Sequence, residues 1–283
     1  MKILITGTNG FIGKNLLEHF QDKIHNLYFP KREQLNLLDS LAVFEYLKQN
    51  HFDIVINCCV NIHSVEENLK MYFNLERCSQ FYGKMFCIGS GSEYDMKNYT
   101  PRMKEEYFSK YIPDDTYGFA KYVIAKNIEE IPRNIYNLRV FGIYGKYEDY
   151  TRRFISDNIC RVLCNLNISI NRNMYFDYIF EKDFCKVVEI FIDQDPNYRS
   201  YNICAEKSIS LMELAEMIRN IDGGNAKIIV KNEGLNPEYS GDNSRFINEF
   251  GPFHYIKHED AINELYQWYN DPKNFDLNAL EFN

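Results

Sequence analysis

A tyrosine and a lysine four residues apart, Tyr117 and Lys121, form a pattern in this sequence that suits carbonyl chemistry. Reducing a carbonyl requires a proton donor beside the hydride acceptor. A phenol, with a pKa of about 10, can donate that proton when a cation lies close to it. Side chains four apart on a helix share one face. We therefore interpret Tyr117 and Lys121 as catalytic, with a surface aromatic–cation pair as the alternative.

The spacing alone is weak, because Tyr-x-x-x-Lys occurs at 117/121, 122/126, 178/182 and 269/273. Lys126 is turned by about 140° from Lys121 at about 100° per residue, so only one of the two pairs on that helix can face the sheet edge. Helix-start residues directly precede Tyr117. Ser90 closes an apolar segment ending in small residues, where ligands bind in open α/β sheets. Context therefore favours Tyr117 and Lys121, with Ser90 beside them.

A glycine-rich segment lies between the first apolar run and the first helical pattern. It contains Gly7, Thr8, Asn9, Gly10, Phe11, Ile12 and Gly13. Glycines at this spacing allow a tight turn and a close backbone approach to a pyrophosphate at a helix N-terminus. We predict that these seven residues bind a dinucleotide; a plain tight turn is the alternative.

The end of the second predicted strand bears on the choice of cofactor. NAD-binding folds often carry an acid there, but here the cations Lys31 and Arg32 precede Glu33. Two cations suit a ribose 2′-phosphate, which favours NADP(H), with NAD(H) as the alternative. An ordinary solvated turn would explain the same residues.

Alternating apolar and amphipathic segments predict the elements that hold these residues. Strands are predicted at 2–6, 24–29, 54–58, 85–90 and 135–141, and helices at 13–20, 40–50, 66–82, 115–130, 152–164, 211–220 and 259–269. Continuous apolar strands between helices indicate an α/β fold with a doubly wound parallel sheet. We predict a dinucleotide-binding domain over 1–145 plus about 172–205. A smaller C-terminal substrate lobe is predicted over about 146–171 and 206–283, with mostly loops at 222–244.

Composition excludes several classes of protein. The 283 residues carry a net charge of −8, which disfavours nucleic acid and anionic membranes as partners. A hydrophobic content of 45% supports a folded core, and no apolar run is long enough for a transmembrane helix. The start lacks signal-peptide features and the eight cysteines form no Cys-x-x-Cys pair, so we expect a reduced, cytoplasmic protein with no metal site.

Together these motifs resemble the extended short-chain dehydrogenase/reductase family, in its epimerase/dehydratase group acting on nucleotide sugars. Ser90 matches the family serine four residues before a tyrosine, here Tyr94. Two stretches, 32–43 and 57–67, resemble those of 4-keto nucleotide-sugar reductases of the GDP-L-fucose synthase and dTDP-4-dehydrorhamnose reductase types. The resemblance implies a nucleotide-sugar substrate and a homodimer built from the helices at 66–82 and 115–130.

The resemblance also implies further binding residues. It adds Asn36, Leu37, Cys58, Cys59, Val60, Asn74 and Val140 to the cofactor site, where Tyr117 and Lys121 also belong. On the substrate side it implies Ser90, Ser92, Tyr117, Arg152 and Arg153.

Some residues depart from the family pattern, and these departures reduce the number of reactions that the resemblance implies. Gly91 and Ser92 stand where dehydratases carry an Asp-Glu pair, which disfavours elimination of water. Ser92 also stands in place of the fucose synthase cysteine, and residues 151–154 contain no histidine, so epimerisation beside the ketone is disfavoured. Phe176 and Gly142 replace a common arginine and asparagine.

Three functions follow from these observations. The first is NADPH-dependent reduction of the C4 ketone of a nucleotide-linked sugar in surface-polysaccharide biosynthesis. The second is an NAD-dependent 4-epimerase using the same Ser/Tyr/Lys set. The third, disfavoured by the intact set, is a non-catalytic dinucleotide sensor.

Overall fold

The computed structural model describes residues 1–24, 26–221 and 223–275. The strands are β1 Lys2–Thr6, β2 Asn26–Tyr28, β3 Phe52–Asn57, β4 Tyr82–Ser90, β5 Ile135–Val140, β6 Gly142–Tyr144, β7 Ile168–Ile170, β8 Tyr175–Phe176, β9 Tyr178–Phe180, β10 Ser200–Ile203, β11 Ile209–Ser210 and β12 Ile228–Val230. The helices are α1 Phe11–Phe20, α2 Ser40–Asn50, α3 Val65–Glu76, α4 Thr116–Glu130, α5 Phe154–Leu163, α6 Glu181–Asp193, α7 Leu211–Ile221, α8 Ser244–Phe250 and α9 His258–Tyr269.

A six-stranded parallel sheet in the order β2–β1–β3–β4–β5–β10 forms the centre of the main domain. Apart from the edge strand β2, its strands are largely buried on both faces, as their continuous apolar runs predict. The strand order reverses between β1 and β3. Ligands bind beyond the carboxyl ends of the strands at such a switch point. The predicted doubly wound parallel fold is therefore confirmed, and its topology marks the place of the site.

Helices cover both faces of this sheet and create two apolar layers. On one face α1 and α6 pack through Leu16, Phe184 and Val188 against strand residues such as Ile56. On the other face α2 and α3 pack through Leu47 and Leu75. Three of these four helices were predicted from the sequence, while α6 was not.

A second apolar core lies in the C-terminal part of the chain. It joins α5, α7 and α9 through Ile159, Leu214 and Leu265. Between α7 and α9 the chain returns to the main domain, where Phe246 of α8 joins the core beside β10. The end of the predicted lobe, 276–283, lies outside the described residues.

Some element boundaries differ from those expected. The helix predicted over 66–82 ends at Glu76, and β4 begins at Tyr82 because this residue pairs with Phe52 of β3. The 222–244 segment contains the short strand β12, which pairs with β7. No helix in the described ranges is long and apolar enough to cross a membrane.

Candidate functional site

The turn between β1 and α1 requires its glycines. Gly7 has a φ of +74°, and a Cβ there would lie 2.8 Å from the Cys58 carbonyl carbon. A Cβ on Gly13 would lie 2.3 Å from the Gly7 oxygen. The Gly10 amide donates to the Gly7 carbonyl at 3.0 Å. The backbone is thereby held close to β3, with the N-terminus of α1 facing the crevice.

A cleft of about 450 Å³ opens from this turn across the carboxyl ends of β1 and β3. Its lining includes eleven of the residues predicted to bind cofactor: Gly7, Thr8, Asn9, Gly10, Lys31, Arg32, Asn36, Leu37, Cys58, Cys59 and Val60. A dinucleotide needs an elongated, partly apolar cleft with polar groups at fixed points. The glycine cradle, the turn from Gly7 to Gly13, has no room for a Cβ at Gly7 or Gly13, and its close packing brings the start of α1 to the cleft, where a pyrophosphate would bind.

Buried amides fix the walls of this cleft. Asn57, at the end of β3, accepts hydrogen bonds from the Thr6 hydroxyl at 2.9 Å and from the Cys59 amide at 3.2 Å. Asn74 donates to the Leu37 carbonyl at 2.8 Å. Asn74 therefore shapes the cleft through the backbone of Leu37, which lines it.

The other predicted cofactor residues lie behind or beside the cleft lining. Phe11, Ile12 and Gly13 open α1, and Val140 ends β5. Lys31 and Arg32 are exposed at the mouth of the cleft, next to the turn at Gln34. Two exposed cations at this mouth suit an added phosphate.

Lys121 lies under the ends of β3 and β4. It is 8% exposed and donates from Nζ to the Ile88 carbonyl at 2.5 Å. Its Nζ lies 5.9 Å from the centre of the Tyr117 ring. Burial raises the pKa of the Cys59 thiol, and the nearby Lys121 charge opposes that rise. This ammonium therefore lies near Cys59, which lines the cleft, and on the face of α4 that also carries Tyr117.

The other three Tyr-x-x-x-Lys pairs are engaged elsewhere. The Tyr122 hydroxyl lies 2.9 Å from the Ser109 hydroxyl, and Lys126 pairs with Glu130. Lys182 pairs with Glu264. Tyr269 belongs to the second apolar core. Each of these three pairs thus has at least one member with a partner outside the glycine-rich turn and its cleft.

Ser90 ends β4 and caps a single turn, Gly91–Glu93. Its Oγ accepts a hydrogen bond from the Ser92 amide at 3.2 Å. The turn packs against the start of α4, since a Cβ on Gly118 would lie 2.6 Å from the Ser92 carbonyl oxygen. Ser90 and Tyr117 are therefore carried by two elements in direct contact. With the Ser92 amide donating to Oγ, the Ser90 hydroxyl proton is available to a ligand.

Sequence reasoning missed Tyr239, a buried aromatic residue of the C-terminal segment. Its hydroxyl occupies the space beside Gly91, near Ser92 and Tyr117. Its ring packs on Phe176 at 4.9 Å between ring centres. The family resemblance places an arginine at Phe176, so here an aromatic wall stands at the position where a charged contact was expected. No local motif marks Tyr239, because it meets the site only through the tertiary fold.

The two predicted substrate arginines lie at the start of α5. Arg152 and Arg153 are exposed, and Arg153 interacts electrostatically with Tyr178, whose ring stacks on Phe176 at 4.5 Å. Phe176 and Tyr178 thus lead from Tyr239 toward Arg153. In the described part of the chain, no three His, Cys, Asp or Glu residues are grouped to hold a metal ion.

Comparison with known proteins gives a family match. The model of the NAD dependent epimerase/dehydratase family matches residues 3–204. GDP-L-colitose synthase of Yersinia pseudotuberculosis is 28% identical over 171 residues, which cover 53% of this chain and 55% of that protein. The matched region thus spans about half the length of that curated relative.

Solved structures share the fold over nearly the whole chain. A GDP-mannoheptose C4 reductase from Campylobacter jejuni with NADP bound gives a TM-score of 0.79 at 23% identity, covering 95% of this chain and 98% of the other. A UDP-glucose 4-epimerase from Thermotoga maritima with UDP-glucose gives 0.81 at 16% identity, covering 96% and 100%. At these identities the likeness concerns the fold.

Proposed function

Since this chain belongs to the NAD dependent epimerase/dehydratase family, we propose that it uses NADPH to reduce the C4 ketone of a GDP-linked 4-keto sugar. The observation that carries the proposal is the meeting of three groups. Ser90 and Tyr117 lie on two elements in contact. Lys121, whose Nζ lies 5.9 Å from the centre of the Tyr117 ring, lines a small cavity together with Cys59, which also lines the dinucleotide cleft. The names of the Yersinia and Campylobacter relatives support the GDP-linked substrate and the C4 position.

The three side chains divide the work of reduction. Bound NADPH supplies a hydride to the C4 carbon. The Tyr117 hydroxyl gives its proton to the carbonyl oxygen, so the ketone becomes an alcohol. Lys121 stabilises the phenolate that is left. Ser90 donates a hydrogen bond to the same oxygen as negative charge develops there.

The remaining residues bind and orient. The amides at the start of α1 and the cradle at Gly7 and Gly13 hold the pyrophosphate, while Lys31 and Arg32 meet the ribose 2′-phosphate. Arg152 and Arg153 contact the nucleotide diphosphate of the substrate.

The first test mixes the protein with NADPH and a GDP-4-keto-6-deoxyhexose. The expected result is loss of NADPH absorbance matched mole for mole by a sugar two mass units heavier. NADPH should be preferred over NADH by about 10- to 100-fold, because charge-assisted hydrogen bonds to a phosphate contribute roughly 1.5–3 kcal/mol. Arg32→Ala should reduce that preference.

Measuring the dinucleotide that copurifies with the protein distinguishes a reductase from an epimerase. Protein denatured directly after purification should release little dinucleotide, since a reductase must exchange its cofactor at each turnover. Stoichiometric release of NAD, together with failure to oxidise NADPH on any keto sugar, would contradict the proposal.

The homodimer and the cytoplasmic location are part of the same proposal. Phe73 on α3 and Phe119 on α4 are each 38% exposed, and an apolar contact between copies would cover them. All eight cysteines are free, as expected in a reducing compartment. A sedimentation mass equal to one chain would contradict the dimer.

A further inference from the structure

A buried carboxylate lies directly behind Ser90. Glu93 is 1% exposed and its ion-pair partner Arg139, on β5, is fully buried. Neither residue lines the dinucleotide cleft. The reduction proposed above uses neither of them.

Both oxygens of Glu93 are engaged. Oε1 accepts a hydrogen bond from the Ser90 amide at 2.9 Å. Oε2 accepts one from Arg139 Nε at 2.6 Å and one from Asn137 Nδ2 at 2.7 Å. A Cβ on Gly89 would lie 2.4 Å from Oε1, so the carboxylate lies against the strand backbone just before Ser90. Glu93 thus ties the end of β4 to β5.

Arg139 is itself held in place. Its guanidinium lies 4.8 Å from the ring centres of both Tyr94 and Phe108, and Nη1 donates to the Tyr94 hydroxyl at 3.0 Å. Enclosure between two rings leaves the guanidinium little freedom to move. The carboxylate that it pairs with is fixed in turn.

A buried ion pair is a poor source of stability, because removing two charges from water offsets their attraction. Two apolar side chains of similar volume would fill this space at least as well. Stability alone therefore does not explain the Glu93–Arg139 ion pair. The hydrogen bond from the Ser90 amide to Glu93 indicates a different role, at Ser90.

Building on the proposed function, we propose that Glu93, held by Arg139, is a positioning residue for the Ser90 hydroxyl. Glu93 fixes the Ser90 amide and closes the Gly91–Glu93 turn. The closed turn holds the Ser92 amide 3.2 Å from Ser90 Oγ. With that acceptor position filled, the Ser90 proton points to the substrate oxygen. Small displacements of such a donor are costly, since its catalytic effect depends on preorganisation.

The test is a double-mutant cycle in the NADPH-dependent reduction. Ser90→Ala should lower kcat by about 100-fold, and Glu93→Gln by about tenfold, with KM for the sugar and Kd for NADPH within about twofold of wild type. Because Glu93 acts through Ser90, the Ser90→Ala/Glu93→Gln protein should be no more than about threefold slower than Ser90→Ala.

Glu105→Gln is the matched control. Glu105 is also a buried carboxylate, but it accepts from the Asn202 amide at 2.9 Å and does not touch Ser90. Its effect on kcat should be small and should multiply with that of Ser90→Ala. Multiplying losses for Glu93→Gln and Ser90→Ala would overturn the proposal and leave Glu93 a purely structural residue.

Two further measurements cover the remaining outcomes. If Glu93→Gln does not fold, the double variant Glu93→Leu/Arg139→Met replaces both charges by apolar groups. This variant should fold and should show the same loss of kcat; a rate equal to that of the wild type would contradict the proposal.

If no keto sugar is reduced by the wild type, the proposed function fails separately. The position of Ser90 can then be read from its amide NMR signal, and a signal unchanged in Glu93→Gln would overturn the positioning role.

Discussion

Tyr117 and Tyr122 lie on the same helix and both precede a lysine by four, yet their surroundings differ. Tyr117 is half-buried, with its ring centre 5.9 Å from Lys121 Nζ, while the Tyr122 hydroxyl lies against Ser109. We expect Tyr117→Phe to lower kcat by about 100- to 10,000-fold, the usual contribution of a positioned proton donor. Affinity for NADPH should persist, because the phenol is not part of the glycine cradle.

Tyr122→Phe is the control for this prediction, since it removes one hydroxyl from the same helix. The expected cost is about 1 kcal/mol of stability from the lost hydrogen bond, with little change in kcat. Steady-state rates and thermal melts of the two variants measure both effects. Equal rates for the two proteins would contradict the assignment of Tyr117.

The role of a single residue can be predicted from the sequence when the residues that define that role are close to it along the chain. Tyr117, Lys121 and Ser90 stand out through spacing and neighbours along the chain. Glu93 and Tyr239 do not, because their partners are distant in sequence: Arg139 is on another strand, and Ser92 is far from Tyr239. An isolated glutamate after a strand is ordinarily a solvated residue, and only the fold shows that this one is buried.

The β1–α1 turn is the element in which geometry constrains sequence most closely. A Cβ on Gly13 would lie 2.3 Å from the Gly7 backbone oxygen, and this oxygen cannot move without shifting the turn. Gly13→Ala should therefore lower the free energy of unfolding of the cofactor-free protein by about 1–3 kcal/mol. NADPH affinity should fall with it, since the shifted amides no longer meet the pyrophosphate.

Gly10→Ala provides the comparison at the same turn. A Cβ on Gly10 meets the Gly7 oxygen at 3.4 Å, an ordinary contact. Its cost should stay below about 1 kcal/mol, the range for a changed helix N-cap. Denaturant melts of both cofactor-free variants compare the two values. A Gly13→Ala protein as stable as Gly10→Ala would show that the turn relaxes freely.

Elements with continuous apolar runs were predictable, whereas short paired elements were not. β3 and β4 were predicted as buried strands because strands covered on both faces have continuous apolar runs in the sequence. The three-residue strands β6 and β9 pair with each other although α5, β7 and β8 lie between them in the chain, so no local period marks them. α6 was missed although its apolar face joins the main core, because its pattern merges with the apolar residues before it.

At the scale of the whole molecule, two cores are joined through the segment after β6. Glu148 lies in that segment, is 7% exposed and accepts a hydrogen bond from the Ser156 hydroxyl of α5 at 2.8 Å. Burial raises the pKa of Glu148 to about 8, an effect that the Ser156 hydrogen bond only partly offsets. A carboxyl that stays protonated near neutral pH couples the stability of the fold to pH.

The sign of this coupling follows from proton binding. An unfolded glutamate has a pKa of about 4.3. Between that value and about 8 the folded protein holds a proton that the unfolded chain releases. Raising the pH therefore favours unfolding across this window. We expect the melting temperature of the wild type to fall, relative to that of Glu148→Gln, as the pH rises from 5 to 8.5.

Glu148→Gln keeps an oxygen that accepts the Ser156 hydrogen bond but cannot ionise. The difference in melting temperature between this variant and the wild type therefore reports the ionisation of Glu148. Glu66→Gln, at an exposed position on α3, is the control and should follow the wild type at every pH. Burial also raises the pKa of Asp177 and of Glu181 to about 7. Both residues are present in all three proteins, so their pH-dependent contributions to stability cancel when the melting temperatures are compared. A wild-type and Glu148→Gln difference that does not change with pH would mean that Glu148 is ionised in the folded protein. Water would then have to reach the junction between the two cores.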